Sequence, residues 1–83
     1  MSRDEVLCRL QAIFQDVFGD EELVIYEETK PGDVEGWDSL SHISILEAVQ
    51  DEFSVSFSLD EIIDMQGVGD ILGAVMRKTG QDN

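Results

Sequence analysis

Apolar residues in this chain recur every three or four positions and nowhere alternate. That period belongs to helices with one buried face; a half-buried strand would alternate in twos. Val6, Leu7, Leu10, Ile13, Phe14, Val17 and Phe18 form one stripe, which predicts a first helix over residues 2–18. Ile45, Leu46, Val49 and Phe53 form a second, over residues 38 or 39 to 53. Val68, Ile71, Leu72, Val75 and Met76 form a third, over 67–78. A short helix is expected at about 59–65, with Ile62 and Met65 pointing inward and Phe57 plugging the connection ahead of it. The expected fold class is therefore all-α: a four-helix bundle of three longer helices and one short one.

End signals agree with these spans. Ser2 with Glu5, and Ser58 with Glu61, have the spacing of a capping box, in which the serine hydroxyl accepts from the third helical amide and the acid reaches back. Asp38 is a good N-cap. Gly19 and Gly80 are natural stops, and Arg77 and Lys78 suit the negative end of the last helix. Residues 20–37 are the longest irregular stretch, with a turn signal at Pro31-Gly32. A connection this long in a small domain is often functional. Leu23, Ile25 and Val34 are its expected anchors, with Tyr26 half-buried. The 83 residues make one domain, with an ordered core of about 3–79 and a frayed tail over 81–83.

The charge is lopsided. Nineteen Asp and Glu face five Lys and Arg, a formal net charge of −14. The cations sit near the ends (Arg3, Arg9, Lys30, Arg77, Lys78), so the stretch between Pro31 and Met76 presents a negative surface. Such a surface argues against nucleic acid as a partner and favours basic ones. No apolar run approaches the roughly 18 residues of a membrane span. Gly69 and Gly73 have GxxxG spacing, but Asp70 lies inside it. The lone cysteine, Cys8, cannot pair within the chain, and no signal-peptide pattern opens it; a reduced, cytoplasmic setting is expected.

Little in the chain can do chemistry. One histidine cannot build a site of His and Cys ligands, the acidic loop lacks a calcium-hand register, and only weak divalent binding by clustered carboxylates stays open; no metal site is assigned. Asp38, Ser39 and His42 include the residue types of a hydrolase triad. Ser39 and His42, however, lie one turn apart on one helix, and no Gly-x-Ser-x-Gly elbow is present. No catalytic residue is assigned. His42 leans toward the core face and reads as structural, near the mouth of the bundle. Ser39 has position instead: a serine in the first turn of a helix offers its hydroxyl to solvent beside amides with no intrahelical partner. Taken alone it is either a site for modification or an ordinary capping serine.

Asp38-Ser39-Leu40 at the start of a helix resembles the acyl carrier protein family. Asp51-Glu52-Phe53, Val55-Ser56-Phe57, the acidic Asp60-Glu61 helix and the Val68…Leu72 helix fall at family spacing, so the resemblance runs from about Val6 to Lys78. It implies a carrier and not an enzyme. Ser39 would be esterified with 4′-phosphopantetheine, supplied from coenzyme A by a phosphopantetheinyl transferase, and the arm's thiol would hold an acyl group as a thioester. The second helix and the loop after it would be the recognition surface, which carries over to Asp38, Leu40, Ile43 and Glu47, with Asp60 and Glu61 beside them. The implied partners of this monomer are the transferase, an acyl-loading ligase or transferase, and downstream synthases with basic docking patches.

The resemblance has departures. Trp37 precedes the motif and Ser41 follows it, where housekeeping fatty-acid carriers usually have a small residue and an acid. Gly36-Trp37-Asp38-Ser39-Leu40 looks more like stand-alone carriers of specialised pathways and like some peptidyl carriers. Glu47 stands where fatty-acid carriers are often apolar. Met65-Gln66-Gly67 lacks the Ser or Thr cap often seen before the last helix, which predicts a looser end there. An aminoacyl or peptidyl carrier, and an unmodified interaction subunit of the same fold, are the alternative readings.

Overall fold

The computed structural model describes residues 2–80; the expected frayed tail at 81–83 lies outside the described residues. Four α-helices follow in order: α1 (Arg3–Phe18), α2 (Ser39–Phe53), α3 (Leu59–Asp64) and α4 (Val68–Thr79). A 3-10 turn, Pro31–Asp33, interrupts the long connection between α1 and α2 and is the one element the sequence reading did not foresee. There is no strand among the described residues. The three apolar stripes meet in one cluster. Leu10, Phe14, Ile45, Leu46, Val49, Ile71, Leu72 and Val75 are wholly buried in it. Phe57 and Met65 are buried as expected, while Ile62 is only partly buried against the cluster.

The connection over 20–37 is pinned by α1. Gln11 and Gln15, one turn apart, reach into it: the Gln11 Oε1 accepts from the Ile25 amide and the Gln15 side-chain amide donates to the Leu23 carbonyl, both at 3.0 Å. These bonds satisfy backbone that would otherwise be stranded at the edge of the core, and they set Ile25 and Val34 into it, with Leu23 partly buried. Tyr26 corrects the expectation for this loop. It is 62% exposed, and the buried residue of its turn is Thr29, whose Oγ1 accepts from the Tyr26 amide at 2.8 Å. Nothing on the loop side needs the phenol ring once Thr29 closes the turn.

The caps follow the sequence in part. Ser58 and Glu61 form the full reciprocal box, whereas at α1 only the Ser2 hydroxyl accepts, from the Glu5 amide at 3.2 Å, and Glu5 does not reach back. The end expected to be loose is held. With no side-chain cap at Gly67, the Val68 amide donates to the Thr29 carbonyl at 3.0 Å, and Asp70 accepts from the Gln66 amide. The loop backbone thus does the work of a cap for α4.

That contact explains Gly69. A Cβ there would stand 2.9 Å from the Glu27 carbonyl oxygen, a backbone atom that cannot step aside. Gly69→Ala should destabilise the fold by about 1–3 kcal/mol, as over-packing does. Gly32→Ala, where a Cβ meets nothing within 4 Å, should stay within about 0.5 kcal/mol. Chemical denaturation of both variants measures this; equal stabilities would mean that the loop does not press on α4.

Candidate functional site

The first turn of α2 is built from both sides. Gly36 adopts φ of +90°, a conformation that favours glycine, and turns the chain into the helix. Asp38 is the N-cap, its Oδ1 accepting from the Leu40 amide at 3.1 Å and the Ser41 amide at 3.0 Å. Ser41 completes a capping box in place of the usual acid: its hydroxyl accepts from the Asp38 amide and donates to the Gly36 carbonyl, both at 2.9 Å. Hydrogen bonds from the amide and hydroxyl of Ser41, then from the Leu40 amide, hold the Asp38 carboxyl below its ordinary pKa.

Capping is therefore complete without Ser39. Its side chain is exposed and its hydroxyl makes no hydrogen bond to the described residues. One expectation changes: the amides beside it are not all free, since Asp38 already occupies those of Leu40 and Ser41.

Trp37, whose part the sequence left open, is a core residue, 7% exposed. Its ring meets Phe14 of α1 edge-on, with centroids 5.0 Å apart and planes at 81°. The indole Nε1 donates to Nδ1 of His42 at 3.2 Å. An indole nitrogen only donates, so Nδ1 must be the accepting nitrogen and the imidazole proton sits on Nε2. That nitrogen lies 3.3 Å from the Ile62 carbonyl of α3 and donates to it. The half-buried His42 is thus structural, as expected, with both nitrogens engaged and neither turned to Ser39.

Ser39 stands on the rim of an open groove of about 740 Å³ between the loop, α2 and α3. Asp38 and Ile43 share this groove with Trp37, His42 and Met65, and with Leu59, Ile62 and Ile63 of α3. Leu40, 78% exposed, and Glu47 also stand out on α2 but do not line it. Asp60 is exposed at the start of α3. Glu61 turns toward α4: the Ser58 amide, and after it the Lys78 ammonium at 3.0 Å, hold its carboxyl below the ordinary value. Leu59 and Ile63, 71% and 64% exposed, were not named from the sequence. Their spacing with Ile62 marks one face of α3, a signal that six residues make easy to overlook. Among the described residues, no three His, Cys, Asp or Glu side chains gather as metal ligands, and no helix is long and apolar enough to cross a membrane.

The family described as "Phosphopantetheine attachment site" matches residues 8–75 of this chain. The chain belongs to the acyl carrier protein family. An acyl carrier protein from Thermotoga maritima is 29% identical over 79 residues, covering 95% of this chain and 98% of the relative. The solution structure of a holo acyl carrier protein from Geobacter metallireducens superposes with a TM-score of 0.82 at 33% identity, over 92% of this chain and 87% of that one. The carrier is thus not a catalyst: it takes a phosphopantetheine group and works by meeting partner enzymes.

The cap carries a pH signature. A carboxyl with a lowered folded pKa adds stability that is complete above its unfolded value, near 3.8, and is lost as pH falls through the folded value. Asp38→Asn, which cannot ionise, should melt lower than wild type above pH 5, and the gap should close as pH drops below about 3.8. A series of melts across pH checks this; a gap that does not vary with pH would deny the carboxylate its capping role.

Proposed function

We propose that Ser39 is the residue esterified with 4′-phosphopantetheine, and that the carrier moves acyl intermediates as thioesters on that arm. The observation that carries this reading is the division of labour at α2. Asp38 and Ser41 make the cap, which leaves the Ser39 hydroxyl exposed, unbonded and on the rim of an apolar groove. Ser39 also lies within the matched span. The residues fit the group: the Ser39 hydroxyl is exposed and is not used by the cap, so it is open to esterification. When bound, the arm supplies the thiol that holds the acyl group. The chain's own part is attachment, orientation and charge.

The pathway we propose is a specialised one rather than housekeeping fatty-acid synthesis. Trp37 and Ser41, the two departures around the motif, are structurally committed here, Trp37 in the core and Ser41 in the cap. The partners would be a phosphopantetheinyl transferase, a loading ligase or transferase, and synthases with basic patches. Their face on this chain is Leu40, Ile43, Glu47 and Asp60, with Asp38 at the helix start; Glu61, already tied to Ser58 and Lys78, is the least available of the set. The acidic surface steers such partners and the exposed Leu40 and Ile43 give a small apolar contact, a combination that suits fast, short-lived docking. A cytoplasmic setting fits the exposed single thiol, Cys8.

Intact-mass measurement after incubation with a phosphopantetheinyl transferase and coenzyme A tests the attachment. Wild type should gain the mass of one phosphopantetheinyl group, and Ser39→Ala none. A wild type that gains nothing, or a Ser39→Ala chain that gains as much, overturns the proposal.

A further inference from the structure

The chain has one tryptophan and one histidine, and they are bonded to each other. The rings of Trp37 and His42 lie within 25° of one plane, with centroids 6.0 Å apart, so the in-plane lone pair of Nδ1 can face the indole N–H. The bond exists only while Nδ1 carries no proton. An imidazolium has a proton on each nitrogen and no acceptor, so protonation would set two donors against each other across 3.2 Å. Nε2 keeps its place in either state: it lies 3.3 Å from the Ile62 carbonyl, and an ionised donor holds a carbonyl more strongly than a neutral one. Trp37 is therefore the partner that is released.

Release of the indole would be felt at Ser39, two residues on. Trp37 sits between the two backbone groups that the Ser41 hydroxyl grips, the Gly36 carbonyl and the Asp38 amide, both at 2.9 Å. Its own amide donates to the Val34 carbonyl at 3.2 Å. The peptide units on either side of the indole are thus the frame of the α2 cap. A buried indole N–H left without a partner is costly. The ring is wedged against Phe14, so it regains a partner only by moving the backbone that carries it.

The groups around His42 leave the change of charge to the imidazole. Two charged residues line the space beside it, Lys30 of the loop and Asp38 of α2 itself. From α3 come Leu59, Ile62 and Ile63, and α1 meets Trp37 with the Phe14 ring. Glu61 of α3 is turned to Lys78. Hydrogen bonds hold the Asp38 carboxyl below its ordinary range, so it stays ionised where histidines change charge.

We propose that His42 is an acid-sensitive positioning residue for the modification of Ser39. While neutral it takes the Trp37 N–H and steadies the turn that presents Ser39; when protonated it lets go of Trp37 and slows attachment of the arm. This rests on Ser39 being the attachment point. The proton comes from solvent, to which the half-buried His42 is open, and returns to it as pH rises. The device acts on the carrier itself and needs no change in the transferase.

The test uses the full chain before modification. The indole Nε1–H and imidazole resonances are followed by nuclear magnetic resonance from about pH 7.5 to about pH 5.5, within the interval where histidine changes charge. In wild type the indole proton should move along the same curve as the imidazole. In His42→Gln, whose amide offers an acceptor but does not titrate, it should stay in place. The initial rate at which each chain gains phosphopantetheine from coenzyme A is then measured at both ends of the range with one transferase. The ratio of the wild-type rate to the His42→Gln rate cancels the transferase's own pH dependence and should fall several-fold toward acid. If His42→Gln does not fold, Trp37→Phe replaces it as the reference: it keeps a ring against Phe14, has no N–H to release, and should give the same fall in the ratio. An indole proton indifferent to the titration of His42 overturns the inference, and so does a rate ratio that does not change with pH. A wild type that gains no arm even at about pH 7.5 overturns the attachment reading, and this inference with it.

Discussion

The buried indole of Trp37 is the interaction on which the site depends. It is the last residue of a long irregular connection, and it is the point where that connection becomes part of the core. Its ring contact with Phe14 ties the loop to α1, and its N–H fixes the tautomer of His42 on α2. His42 in turn holds the backbone of α3. One side chain thus couples four parts of a small molecule whose core is necessarily thin; a chain of this size buries only about 60% of its unfolded surface. The exposed first turn of α2 is presented from a rigid base because its immediate neighbour in sequence is anchored.

The helices were legible because each shows its own period, and the motif because Asp38-Ser39-Leu40 stands at a helix start with the segments after it at family spacing. What stayed hidden was the traffic between segments distant in sequence. Gln11 and Gln15 look like ordinary polar positions on α1, yet they hold Ile25 and Leu23 in place. Gly67 lacks a cap in sequence, yet the Thr29 carbonyl supplies a partner from some forty residues upstream. Trp37 could not be placed because its partner, Phe14, belongs to another helix, and a helical period says which face is buried but not against what. Tyr26 was misplaced for the opposite reason: a large aromatic in a loop suggests burial, and the small Thr29 did that work.

Charge is managed by distribution and not by pairing. Three of the five cations are engaged in ion pairs, Arg3 with Glu27, Arg9 with Glu52 and Lys78 with Glu61. All three pairs are substantially exposed, where such contacts contribute little. All three nevertheless join distant segments: α1 to the loop, α1 to the end of α2, and α3 to α4. The other acidic residues make no ion pair among the described residues, and the stretch from Pro31 to Met76 has no Lys or Arg of its own. The resulting self-repulsion is a standing cost borne by a core of wholly buried aliphatic residues.

A helix start is ordinarily a good place to capture a phosphate, because its free amides point at the anion. Here Asp38 has already taken the amides of Leu40 and Ser41. A phosphodiester on Ser39 would therefore meet a filled anion seat, with a carboxylate next door. The tether, fastened by one ester bond, would find the two amides of the helix start already taken. For a group that must be handed from one enzyme to another, that is an asset: each partner can draw the arm into its own tunnel without first breaking contacts at home. The cap that makes α2 stable would, by the same two hydrogen bonds, deny an arm on Ser39 the amides it could otherwise hold.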